Sequence, residues 1–181
     1  MSEDLRYPIG KVENQLFTGK ESFSEELKKA AIKEIEFLPQ MIENAVLNLD
    51  EAQLNTPYRH DGWTVKQVVH HVADSHMNAY IRFKLGLTED NPTIKPYEEA
   101  LWANLSDTKN IPINVSLTLL YTLHTRWVEI LKNMKDDEWQ RTLFHPEHKR
   151  TFTLWSLMAV YAWHGKHHTA HITKLRERNG W

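Results

Sequence analysis

Four histidines fall within eight residues near the C-terminus, at 164, 167, 168 and 171. Side chains four apart on an α-helix lie one above the other, a single turn between them. His164 with His168, and His167 with His171, have that spacing. Two imidazoles on adjacent turns can reach one small cation, so an i, i+4 pair is a helical metal-site signature. A third ligand must come from elsewhere. The segment His70-His-Val-Ala-Asp-Ser-His76 is the second histidine-rich stretch. Periodicity alone leaves His71 and His76 both open as that third ligand. Asp74, one turn from His71, could ligate, orient an imidazole or act as a base.

The elements that would position these residues can be read from periodicity. Residues 1–20 show none and read as an extended arm, wrapping the domain or a partner subunit. Ser22 or Ser24 then caps an amphipathic helix with Leu27, Ala31, Ile35, Leu38, Ile42, Ala45 and Leu49 on one face, kinked at Pro39. Thr64 with Gln67 is a capping box and opens a second helix running to about Thr88. A short segment from Glu98 to Leu105 fits one or two helical turns. Pro112 and Asn114 open a third helix, with Leu117, Leu120, His124, Trp127 and Leu131 inward. Asp136 to Lys149 reads as a loop, and no window alternates clearly enough for a strand. Thr153 caps a fourth helix ending at Asn179 and Gly180. The expected fold is therefore all-α, a four-helix bundle in one domain spanning 1–181. The long link between the second and third helices allows an overhand connection.

On the fourth helix, the stripe Leu154, Met158, Tyr161 continues inward as His164, Gly165 and His168. An unpartnered buried imidazole costs about 1–3 kcal/mol, so a compensating contact is expected. A shared metal supplies it for both histidines; hydrogen bonds to tyrosine, aspartate or backbone are the alternative.

Composition narrows the classes. The formal net charge is −2, which argues against nucleic acid or an anionic membrane as partner. There is no cysteine, so disulfides, thiolate ligands and a cysteine nucleophile are excluded, in keeping with a cytoplasmic protein. Glu3, Asp4 and Arg6 replace the apolar core a signal peptide would need, and no apolar run is long enough to span a bilayer.

Several ordered motifs carry a resemblance: Tyr7-Pro-Ile-Gly10, Thr56-Pro-Tyr-Arg59, Gly62-Trp-Thr-Val65, Gln67-Val-Val-His-His71, Ala73-Asp-Ser-His-Met-Asn78, Tyr80-Ile-Arg-Phe-Lys-Leu85, and Trp163-His164 with His167-His168-Thr-Ala-His-Ile172. Together they resemble the YfiT-type metal-dependent hydrolases of the DinB/YfiT superfamily over nearly the whole chain. The resemblance implies a four-helix bundle, often a homodimer, holding one divalent ion (zinc or nickel) on three histidines. Matched by motif, these are His71, His164 and His168, and His76, His167 and His171 become neighbours. It implies hydrolysis of a small-molecule substrate by water activated at an open metal site. Relatives that join a low-molecular-weight thiol such as bacillithiol to an electrophile make an S-transferase the alternative, with Arg82 a candidate partner for a carboxylate of the thiol. A metal-stabilised stress module without turnover is the third reading. Catalytic residues beyond the metal site, and the roles of Asp74, His76, Arg82 and His124, stay open.

Overall fold

The computed structural model describes residues 4–181. Four long helices dominate: α1 (Glu25–Val46), α3 (Val65–Thr88), α6 (Ile113–Asn133) and α7 (Leu154–Asn179). Short helices lie between them, α2 (Glu51–Leu54), α4 (Glu99–Trp102) and α5 (Ser106–Asn110). A hairpin of β1 (Thr142–His145) and β2 (Arg150–Thr153) precedes α7.

The helix starts follow local chemistry. Ser24 accepts from the Leu27 amide, and Glu25 and Glu26 occupy the first turn of α1. Thr64 and Gln67 exchange both bonds of a capping box at α3. Thr153 accepts from the Ser156 amide at α7. Replacing Thr64 with alanine orphans the Gln67 amide and should cost about 1 kcal/mol, read as a lower midpoint in chemical denaturation with unchanged slope. α7 ends where Gly180 adopts φ 67°, a left-handed conformation that closes the helix. α1 stops at Val46, short of Leu49, because Asn48 turns left-handed at φ 63°.

The hairpin corrects the loop expected at Asp136 to Lys149. Thr142 pairs with Thr153 and His145 with Arg150 in an antiparallel register. Four-residue strands are too short for alternation to stand out. The hairpin is held by contacts remote in sequence: Phe144 exchanges backbone bonds with Pro92 and Ile94, and Arg141 donates to the Gly86 carbonyl at 2.6 Å.

α1 packs against α6 and α7, and α3 packs against the same two helices. The order around the bundle is therefore α1, α6, α3, α7, with α1 and α3 on one diagonal and α6 and α7 on the other. The connections that cross the bundle are thus α1 to α3 and α6 to α7, whereas α3 and α6 are direct neighbours. The arm, over its described residues, runs along α7 of its own chain. Trp163 donates to the Gly10 carbonyl and Trp155 to that of Glu21.

Two apolar clusters fill the interior. One gathers Ile35, Phe83, Trp127, Trp139, Leu154 and Met158; the other gathers Leu38, Ile42, Val68, Val69, Leu120 and Ile172. Between them, at one level of the bundle, lies a layer of imidazoles from α3, α6 and α7. Gly165 lets α1 approach this layer, since a Cβ there would meet Leu38 Cδ2 at 2.6 Å. Among the described residues, no helix is long and apolar enough to cross a membrane.

Candidate metal centre

α3 and α7 face each other across this layer. His71, two turns into α3, points at the pair His164 and His168 on α7. The ligand-capable nitrogens of the three all lie within 4.8 Å of one another, the single such grouping among the described residues. Its tightest edge is 3.3 Å, between His71 Nε2 and His164 Nε2. Nitrogens bound at about 2.0–2.1 Å to a tetrahedral ion stand roughly 3.3–3.4 Å apart. The cluster therefore has the spacing a coordination triangle would need, slightly opened.

Burial lowers the basicity of all three. His71 is pushed down to about 4 by desolvation, with His171 adding to it. His164 and His168 are driven well below the usual imidazole range, first by burial and then by their neighbouring imidazoles. All three rings are neutral at neutral pH, the state a metal ligand requires. Two imidazole nitrogens at 3.3 Å share one proton or one cation, so the donor set fits a divalent ion. No carboxylate belongs to it, and an ion held there would keep its full charge. The triad opens into a cavity of about 460 Å³ walled by Tyr7, Tyr58, Trp63 and Arg59, with Glu99 at the rim. Trp63 packs on His71 with ring centroids 4.5 Å apart.

A model of the DinB superfamily matches residues 34–172. The chain belongs to the DinB superfamily. Across 178 residues it is 54% identical to proteins of Bacillus cereus (strain 03BB102) and Bacillus thuringiensis subsp. konkukian (strain 97-27). Each alignment covers 98% of this chain and 99% of the relative, and both relatives carry the provisional name of metal-dependent hydrolase. The solved structure of YfiT from Bacillus subtilis superposes with a TM-score of 0.92 at 47% identity, covering 98% of each chain. That protein is described as a probable metal-dependent hydrolase with an unusual four-helix bundle topology.

Within this DinB-superfamily bundle the remaining candidates separate. His76 is buried, and its Nε2 lies 3.2 Å from His164 Nδ1, on the side of that ring away from His71. It therefore stands behind His164 and outside the triangle. His171 stacks on Tyr58 at 3.9 Å and His167 on Trp163 at 4.3 Å. Arg82 donates to the Tyr161 hydroxyl at 2.8 Å and does not line the cavity. The sequence reading named none of the cavity walls: Arg6, Tyr7, Tyr58, Arg59, Trp63 and Glu99 were all missed as cavity residues. They reach it through tertiary folding, and no local pattern announces that.

Asp74 turns from the triad toward α5. Burial pushes its carboxyl up to about 6 from 3.8, and Asp107 adds to the shift. A carboxyl raised on folding costs stability wherever the unfolded chain ionises first, so stability falls as pH rises from about 4 to about 6 and stays lower above. With the group partly solvated, the full shift is discounted to about 1 kcal/mol. Asp74→Asn should accordingly raise the melting temperature at pH 7.5, and the gain should vanish near pH 4. Thermal melts at the two pH values check this.

Proposed function

We propose that this protein is a metal-dependent hydrolase acting on a small polar substrate, with one divalent ion, zinc or nickel, held by His71, His164 and His168. The observation that carries the reading is the convergence of three neutral imidazoles at the floor of an open cavity. When bound, such an ion supplies Lewis acidity and, at its open position, activates a nucleophile. The chain's own residues do the rest. Tyr58 and Trp63 form apolar walls that limit water around the substrate. Among the described residues, Arg59 reaches the cavity with the Tyr58 hydroxyl and the His60 carbonyl as its side chain's hydrogen-bond partners, so its charge is available to an anionic substrate group. Glu99, its carboxyl raised by partial burial and by Glu147, is placed to take or give a proton at the rim.

Two observations favour a second reading, thiol transfer: the three imidazoles are uncharged, and among the described residues Arg59 makes no ion pair with a carboxylate. Both suit an anionic cosubstrate such as a thiolate, and the chain has no cysteine of its own to supply one. The proposal includes a homodimer, a location in the cytoplasm and one domain over 1–181.

A screen of the zinc- and nickel-loaded protein separates the two activities. Hydrolysis of ester, amide or phosphoester panels without thiol, lost on chelation, supports the first. Consumption of thiol in proportion to electrophile replaces it with the second. Silence in both arms, with metal bound, overturns both.

A further inference from the structure

His164 and His168 are useful ligands only if their free lone pairs sit on the nitrogens facing His71. In water a neutral imidazole exchanges between two tautomers, so something in the fold must choose.

A carbonyl oxygen can only accept. The Ile35 carbonyl lies 2.6 Å from His124 Nδ1, which must therefore carry that ring's proton. His124 Nε2 is then an acceptor, and it faces His76 Nδ1 at 3.1 Å. His76 in turn protonates Nδ1 and offers Nε2 to His164 Nδ1 at 3.2 Å. The nitrogen left over on His164 is Nε2, the one 3.3 Å from His71. All three rings are neutral, since burial holds His124 down to about 4 and His76 and His164 well below their usual range. A buried carbonyl inside a helix is free for this because of Pro39. The amide that would bond to Ile35 belongs to the residue four positions later, and proline has no N–H.

A second chain reaches the other α7 ligand. The Arg6 carbonyl in the arm lies 3.2 Å from His171 Nε2, which must donate. His171 Nδ1 then accepts from His168 Nδ1 at 3.4 Å, leaving the lone pair of His168 on Nε2.

We propose that two imidazole ladders, one ended by the carbonyl that Pro39 leaves free and one by the N-terminal arm, fix the tautomers of His164 and His168 and so preorganise the metal triangle. His76, His124 and His171 are positioning residues in this scheme, and Pro39 is part of the site. The proposal rests on the metal-site reading above.

The test is a two-bond proton–nitrogen correlation spectrum of the metal-free protein labelled with ¹⁵N histidine, paired with zinc titrations. The ladders require Nδ1–H on His124, His76, His164 and His168, and Nε2–H on His171. His164 protonated on Nε2, or exchanging between forms, overturns the inner ladder. In His76→Phe, His164 should lose its fixed tautomer and zinc affinity should fall about 10–100-fold, with His168 unchanged in the spectrum. Wild-type affinity in that variant overturns the positioning role. Pro39→Ala, which restores a competing amide to Ile35, should move both readouts the same way by less. If His76→Phe does not fold, the wild-type spectrum and Pro39→Ala decide. A wild type that takes up no zinc overturns the metal reading and the positioning role together, whereas zinc uptake with the wrong tautomers overturns the ladders alone.

Discussion

Replacing His164 with alanine should lower affinity for the divalent ion by more than about 100-fold, beyond the range typical of outer-shell partners, and abolish any metal-dependent turnover. His71→Ala should do the same. Each substitution leaves only two imidazoles, one on each facing helix or both on α7, and neither set closes a coordination triangle. The two variants should nevertheless differ in stability. Removing His164 strips the Nε2 of His76, a fully buried ring, of its partner, which costs about 1–3 kcal/mol. His71 lies at the cavity wall, beside Trp63 and the two α7 histidines, and its loss orphans no such ladder. His164→Ala should therefore melt below His71→Ala, both remaining helical by circular dichroism. The bundle keeps its helices without the ion because apolar clusters lie on both sides of the histidine layer. A zinc finger, with no such core, unfolds when its metal is removed.

The second large effect belongs to that core. Phe83 is fully buried and meets the edges of Trp127 and Trp139, with centroids at 5.4 and 6.5 Å. Truncating it to alanine opens a cavity between rings that cannot collapse together, at a cost of roughly 3–5 kcal/mol. At about 2–4 °C per kcal/mol for a chain of this size, the melting temperature should fall by on the order of 10 °C. Metal stoichiometry should be unchanged, because Phe83 lies in the cluster beyond the histidine layer. Calorimetry and a metal titration on one preparation separate the two consequences.

Much of this architecture was legible in the residues. Thr64 with Gln67 and Thr153 with Ser156 mark helix starts through side chains that satisfy free amides, a local effect a sequence displays directly. The triad was legible for a related reason: helical spacing puts His164 over His168, and the resemblance chose His71 where periodicity left His76 open. What stayed hidden depends on distant contacts. The β1–β2 hairpin is defined by Phe144 meeting Pro92 and Ile94, about fifty residues away in the chain. Pro39 was read as a kink, and its other consequence, a free Ile35 carbonyl, has meaning only once His124 arrives from α6. The roles of His76 and His124 likewise stay open in the sequence until α3, α6 and α7 are set at one level. Arg82 was a candidate partner for a carboxylate of a thiol cosubstrate, but Tyr161 on the neighbouring α7 accepts from its guanidinium.

The central claim is that His71, His164 and His168 hold one divalent ion. Elemental analysis of tag-free protein, wild type beside His71→Ala and His164→Ala, tests it most directly. The account predicts near one equivalent of zinc or nickel in the wild type and essentially none in either variant, with helical circular dichroism retained in all three. A wild type that carries no divalent metal, and takes none up on titration, would contradict it and return the three histidines to the packing of the bundle.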